Sequence, residues 1–472
     1  MSRKGNLVKN TFILSFGTFL PKAASFITLP ILTACLSKAE YGTYDLILVI
    51  ASLLLPAATL QIQTAAFRFL IDVRDDEKEI KKVVTILFAF IAPTSLLTLV
   101  IFFFVLPGQA VAVRAFMCLF LFADIAEHCV REVSRGLGNV KAYSVSGVLS
   151  SLGKMLLVVV FVYCFGTGLL GTVVALFGGS FLSALYIFLR IKIYRYIDFS
   201  LVDRKKIGQM LKYSWPMVPD NLSNWVLRVS DRLVVVGFMG IKANAVYAVA
   251  NKFPTLLNLA YSTFSVAWQE NASIASKDED AQEYYSSVFR NIFDLLIGSF
   301  CIITALTPVL FKLLVRGSYT SSYNHIPILT AAGAFQVLAV FIGGVFIAYK
   351  RTKSVGLTTI ATAVINLVVD IALIKFIGLY AASVSTLVSY IFLFVFRIIT
   401  VQKIITLRYD IRHILLGTGL MIVSCALCFQ KMLVLDIVNV VFGIAVFIIL
   451  NIKLIRTVFA KLKKSKGRQR LE

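Results

Sequence analysis

The chain has 472 residues, 59% of them hydrophobic and 15% charged, with a formal net charge of +23. Soluble globular chains carry about 25% charged residues, so polar surface for the two or three soluble domains that this length would fill is missing. Apolar runs of about eighteen or more residues recur along the whole chain, each able to span hydrocarbon as a helix, and the short alternating segments of an outer-membrane barrel do not occur.

In chain order the expected spans are 11–36, 42–68, 83–106, 115–132, 143–165, 169–189, 213–238, 244–269, 284–311, 325–349, 354–374, 379–399, 413–430 and 436–453. The fold class is therefore an all-α integral membrane protein of about fourteen transmembrane helices. The basic amino end, Met1 to Asn10, runs into an apolar stretch that continues past Pro21 and Lys22, which reads as a first membrane helix and not as a cleaved leader. Lys and Arg collect on alternate loops. One side, with both tails, holds residues such as Arg74, Lys82, Arg131, Arg135, Arg190, Lys206, Arg397 and Lys464, whereas the other holds only Lys38, Arg114, Lys242, Lys312, Arg316, Lys375 and Lys431. That bias is about five to one and places both termini of a multi-pass membrane protein in the cytoplasm. It also accounts for the basic net charge as topology, without nucleic acid as a partner.

A basic segment near mid-chain separates six expected spans from eight. Lys9 and Lys212 precede the first and seventh spans, and Tyr44 and Tyr247 follow corresponding outside turns. This echo suggests two six-helix lobes related by a pseudo-two-fold, with an appended pair, as in transporters built from repeats. The expected division is an N-terminal lobe at 1–190, a basic cytoplasmic linker at 191–212, a C-terminal lobe at 213–400, the helix pair at 401–455 and a basic tail at 456–472.

Removing the loop charges leaves a short set within the spans. The cations are Lys22, Lys154, Arg228, Arg232, Lys252 and Arg290, and the anions include Asp124, Glu127, Asp220, Asp231, Asp294 and Asp370. A charge at bilayer centre costs about 2.5–3.5 kcal/mol on insertion scales, so these groups must face the bundle interior, water or one another. Lys22 follows Pro21, which bends a helix and frees a carbonyl, and Lys154 is central in the fifth span. Arg228, Asp231 and Arg232 share one helical face, where Asp231 is expected to neutralise one arginine and leave the other for an anionic ligand. Lys252 stands in the outer half of the eighth span, and Arg290 is expected to be an interfacial anchor. Asp124 and Glu127 share a face and either pair with Lys154 or hold a proton or cation; Asp294 and Asp370 are lone candidates for coupling-ion sites.

Enzyme chemistry has no support in the sequence. No Gly-x-Ser-x-Gly elbow or phosphate-binding loop is present. His128, His325 and His413 are the three histidines, too scattered for a metal cluster. Cys425 and Cys428 form a C-x-x-C inside an apolar segment with no second pair, so neither a metal nor a cofactor is expected.

Three stretches carry a resemblance to a known family. Leu36-Ser-Lys-Ala-Glu40-Tyr41-Gly42-Thr-Tyr44 is similar to the L-x3-E-Y-G-x-Y stretch of bacterial polysaccharide flippases. The seventh span, with Pro216, Pro219, Asn221, Trp225 and Ser230-Asp231-Arg232, resembles that family's most recognisable segment, and Tyr247 to Ala267-Trp268-Gln269 fits it as well. The family is the Wzx-type oligosaccharide flippases of the multidrug/oligosaccharidyl-lipid/polysaccharide exporter superfamily. The resemblance implies translocation of an undecaprenyl-diphosphate-linked oligosaccharide by alternating access of a cationic cavity between the lobes, where Lys22, Lys154 and Arg228 would attract the diphosphate. It also implies membrane lipid, a polysaccharide polymerase and chain-length proteins as partners. A cell-wall precursor flippase and a multidrug or metabolite exporter of the same superfamily are the alternatives.

Overall fold

The computed structural model describes residues 23–106 and 108–468, all helical or loop with no strand among them. It divides into two compact units, one reaching to Ala245 and including Leu314–Ser318, the other made of Val246–Leu313 and Tyr319 onward.

The first unit opens with α1 (Ala23–Cys35). Ser37 then starts α2 (Lys38–Thr59) with a capping box: its hydroxyl accepts the Glu40 N–H at 3.2 Å, and the Glu40 carboxylate accepts the Ser37 N–H at 2.9 Å. The expected span 42–68 is not one continuous helix. Leu60 and Gln61 have φ of 45° and 59°, a left-handed pair that ends α2 and starts α3 (Ile62–Asp72) in a new direction. Asp76 accepts the N–H groups of Lys78 and Glu79 to cap α4 (Glu77–Val105). After it come α5 (Val111–Gly136), α6 (Val140–Val158), a π-helical turn at Val159–Cys164, and α7 (Gly168–Arg190).

The basic segment 191–212, expected as a linker, is built. Two 3₁₀ turns lead into α8 (Arg204–Ser214), an amphipathic helix capped by Asp203. Lys82 reaches Asp203 at 2.9 Å and Lys206 reaches Glu79 at 3.1 Å, which ties α8 to the start of α4. The Lys82 ammonium and the Lys205 N–H hold the Asp203 carboxyl below its ordinary range. The first unit ends with α9 (Met217–Met239) and the first half of α10 (Ile241–Ala250).

In the second unit the eighth span is also broken. Asn251, Lys252 and Phe253 form a turn, and α11 (Pro254–Ala275) restarts with proline in its first turn, where the missing N–H is harmless. The rest is α12 (Ala281–Leu314), α13 (Ile326–Ala348), α14 (Thr352–Ile377), α15 (Tyr380–Val401), α16 (Ile411–Phe429) and α17 (Leu433–Arg468). The Ala267-Trp268-Gln269 segment works through its indole. Trp268 stacks on Phe341 with ring centroids 4.2 Å apart and donates from Nε1 to the Phe341 carbonyl at 2.9 Å. Gly344 makes room for it, since a Cβ there would stand 2.5 Å from Trp268 Nε1.

Ten of the described helical segments are long and apolar enough to cross a bilayer. Of the other four expected spans, the first lies partly outside the described residues and the eighth is broken. The fourth (α5) and seventh (α9) are the two that carry clusters of charge, and those clusters shape the site.

Candidate functional site

In the first unit a cavity of about 310 Å³ lies among α1, α2, α5, α6 and α7. Its polar wall is one face of α5, where Asp124, Glu127, His128 and Arg131 follow the i, i+3, i+4, i+7 spacing of a helix. Across from it stand Ser150, Ser151 and Lys154 of α6, while Tyr44 and Ala24 contribute from α2 and α1. Two glycines permit this arrangement. A Cβ at Gly153 would be 3.4 Å from the Gly179 Cα, and one at Gly179 would be 2.3 Å from Lys154 Cγ and 2.7 Å from the Ser150 carbonyl. The backbones of α6 and α7 thus touch through small residues, and the aliphatic stem of Lys154 crosses the gap over Gly179.

The two carboxylates have different surroundings. Glu127 is buried and accepts hydroxyl bonds from Ser150 at 3.0 Å and Ser183 at 2.9 Å, with Arg131 Nη1 at 3.6 Å. It is a satisfied, structural anion that draws α5, α6 and α7 together. Asp124 is only half-buried, with the Ser180 hydroxyl 3.5 Å away. The expected pairing of Lys154 with Asp124 or Glu127 is not formed, because Arg131 occupies Glu127; among the described residues no carboxylate lies within ion-pair distance of Lys154. Its ammonium is instead 5.9 Å from the Phe120 ring centroid. Arg131 and Lys154 thus share the cavity wall with two carboxylates, and Lys154 is the one of these cations with no ion-pair partner among the described residues.

Alanine at Gly179 is expected to cost about 1–3 kcal/mol, since it overpacks a backbone crossing. Thermal unfolding of the purified protein measures this, and unchanged stability would show that α6 and α7 can separate freely.

The first two of the stretches that carry the resemblance meet in a second constellation. Glu40 Oε1 accepts the Leu169 N–H at 3.1 Å, so the residue that caps α2 also caps α7. A Cβ at Gly42 would come within 2.1 Å of the Ile241 carbonyl, which explains the glycine. Asn244 donates to the Gly42 carbonyl at 3.1 Å and to Asp45 at 3.3 Å, and Arg232 Nη1 lies 3.3 Å from the other Asp45 oxygen. Trp225 donates to the Val49 carbonyl at 3.2 Å and the Ser52 hydroxyl at 3.0 Å. Arg232 therefore joins α9 to α2 through Asp45, a residue the sequence reading passed over. Asp231 is buried, and its carboxylate accepts the Arg232 N–H at 2.9 Å. Arg228, on the same helix, is exposed and has no carboxylate within ion-pair distance among the described residues.

The remaining candidates are dispersed. Lys22 lies outside the described residues. Lys252 is in the turn between α10 and α11, not inside a continuous helix. Asp370 is fully buried in α14. Asp294 is not a lone carboxylate: His413 Nε2 stands 2.5 Å from its Oδ1. Two arginines counted as loop charges are also relocated. Arg131 belongs to the cavity wall because α5 continues to Gly136, and its spacing from Asp124 and Glu127 was the available signal. Arg397 is buried in α15, where it donates to the Ala339 carbonyl at 2.7 Å and to the Thr358 and Thr359 hydroxyls at 3.1 Å each.

Among curated proteins none is significantly similar in sequence. In fold, the chain is similar to a lipid II flippase, MurJ, in an inward closed conformation, with a TM-score of 0.70 at 14% identity over 95% of this chain and 100% of that one. It is also similar to an inward-facing multidrug resistance MATE family transporter of the MOP superfamily, with a TM-score of 0.67 at 14% identity over 82% of this chain and 94% of that one. The model of the family described as "Polysaccharide biosynthesis protein" matches residues 7–269, more than half of the chain and the part that holds the cavity and the Asp45–Arg232 constellation. The chain belongs to the polysaccharide biosynthesis protein family and has the fold of the MOP-superfamily transporters.

Proposed function

We propose that the protein is a flippase that carries undecaprenyl-diphosphate-linked oligosaccharide repeat units across the bacterial cytoplasmic membrane for capsule, O-antigen or exopolysaccharide synthesis. The observation that carries this reading is a membrane transporter fold in a chain whose family is polysaccharide biosynthesis. Substrate enters by alternating exposure of a cation-bearing cavity to the two faces of the membrane, and both termini stay cytoplasmic. Lys154, held over the α6–α7 crossing with no carboxylate at ion-pair distance, supports this reading because a diphosphate would supply the missing counter-charge. Lys22, Arg228 and Lys252 are further candidate cations for the substrate; Arg232 contributes indirectly, through α2. Asp124 is the carboxylate best placed for proton or cation coupling, since Glu127 and Asp294 are already bonded. A polysaccharide polymerase and chain-length proteins are the partners this role requires.

A second reading, export of a cell-wall lipid-linked precursor, has one observation in its favour: the likeness to the lipid II flippase takes in 95% of the chain. Deleting the gene separates the two. Accumulation of a lipid-linked repeat unit on the cytoplasmic face, with loss of the surface polysaccharide and intact growth, is expected. Normal surface polysaccharide with altered drug tolerance would overturn the flippase assignment in favour of a multidrug exporter, and lysis with accumulated wall precursor would favour the second reading.

A further inference from the structure

The second unit holds a cationic site that the transport reading does not use. Two cavities, of about 340 and 430 Å³, lie on either side of Arg290 and His413 and share both residues. The first also takes in Arg408 and Tyr409 from the segment before α16, and the second reaches Asn451 and Lys453 on α17. His413 is fixed in place by Asp294, and Asn451 donates to the Asp294 backbone carbonyl at 3.2 Å, so α12, α16 and α17 converge on one frame. Asp410 is occupied as well, accepting the Arg412 N–H at 2.9 Å to cap α16. Arg290 and Arg408 are exposed, and among the described residues neither has a carboxylate within ion-pair distance. The Arg408 backbone N–H donates to Ser286 at 3.0 Å, which holds this segment against α12.

The depth of the site identifies its ligand. Helix α12 has 34 residues and so is about 51 Å long, against a hydrocarbon core of about 30 Å. The helix is thus about 20 Å longer than that core, and we place roughly its first three turns, ending at Arg290, at headgroup level. The apolar run of α17 ends at Lys453, which sets the same level on that helix. Beside Arg290 the wall of the second cavity continues into Ile449, Ile452 and Leu454, all exposed on α17. A free anion has no use for that apolar surface, whereas a lipid places its phosphate on the arginines and its acyl chains along α17.

We propose that Arg290 and Arg408 form a binding site for the phosphodiester headgroup of an anionic membrane phospholipid, with His413 and Asp294 as the rigid back wall. The site is independent of the transported substrate, and its test reads lipid binding and not transport. The full chain in nanodiscs is titrated with spin-labelled phosphatidylglycerol and, separately, with spin-labelled phosphatidylcholine. The wild type is expected to prefer phosphatidylglycerol, and R290Q/R408Q to lose roughly thirtyfold of that preference, as two interfacial arginines at about 1 kcal/mol each would give. K277Q, an exposed lysine of the same unit outside both cavities, should retain the preference. Retention of the preference in the double variant overturns the site. Displacement of the labelled lipid by an equal concentration of inorganic phosphate overturns the lipid assignment in favour of a free-anion site. Both arginines are exposed, so the variants are expected to fold, and unchanged thermal unfolding checks this.

Discussion

The Asp45→Ala protein is expected to be less stable than the wild type by about 3–5 kcal/mol, the cost of leaving one partner of a buried ion pair uncompensated. Asp45 is 4% exposed and serves two helices at once. One oxygen faces Arg232 Nη1 at 3.3 Å and the other accepts from Asn244 at 3.3 Å. Removing the carboxylate takes one partner from the Arg232 guanidinium on α9 and an acceptor from Asn244 on α10. Arg232 keeps 18% of its side-chain surface, so water relieves part of the penalty and the lower end of the range is the sounder expectation. The measurement is thermal unfolding in detergent or nanodiscs. The double variant Asp45→Leu/Arg232→Leu should recover most of the loss, because an apolar pair of similar volume avoids burying charge at all. If Asp45→Ala unfolds with the wild type, α9 is not held to α2 by this pair.

Lys154→Ala is expected to lower export by about ten- to a hundredfold at matched protein level, the loss of a charge-assisted bond of about 1.5–3 kcal/mol to a phosphate. Its stability should change little, since no ion pair is broken. Lys154→Arg should restore part of the activity, because the charge is kept; the larger head must still pass the crossing at Gly179, where a Cβ would already stand 2.3 Å from Lys154 Cγ. Export is read as lipid-linked oligosaccharide reaching the outer leaflet of right-side-out vesicles. Full export by Lys154→Ala would remove the cavity of the first unit from the substrate path. Comparison with Gly179→Ala separates the causes, for that variant loses stability while keeping the charge.

Much of the fold was legible because lipid imposes a simple rule. A helix that crosses hydrocarbon must be long and apolar, and the runs at 83–106, 169–189, 354–374 and 379–399 each correspond to one helix of the structure, α4, α7, α14 and α15. The breaks were not legible. The chain turns at Leu60-Gln61 with no glycine or proline at either position, and the turn at 251–253 takes in Asn251 and Lys252, which were read as polar residues inside a continuous span. Hydropathy measures transfer to lipid and is blind to where a helix bends.

The site was legible in kind but not in pairing. Lys154, Asp124 and Glu127 were recognised as buried charges that must meet something, and the structure does bring all three to one cavity. Which charges meet depends on the rotation of each helix and on distances of a few ångströms, and a list of charged residues contains neither. Arg131 and Arg397 were assigned to loops because they lie near the ends of apolar runs, yet α5 and α15 continue past them and carry both inward. Asp45 was overlooked because it sits close behind the expected start of a span, where a charge costs little.

By itself, the sequence determined that the chain lives in a membrane, that it is helical, roughly where the helices run, and that a small set of charges needs an interior. These follow from composition and period, which are local and additive. Only the tertiary structure decided that Arg131 meets Glu127 and that Lys154 has no carboxylate at ion-pair distance among the described residues, that Arg232 is bound to Asp45, and that Asp294 is held by His413. Each of those outcomes is a competition between partners far apart in sequence, and electrostatic energy in a low-dielectric interior is set by their separation in space.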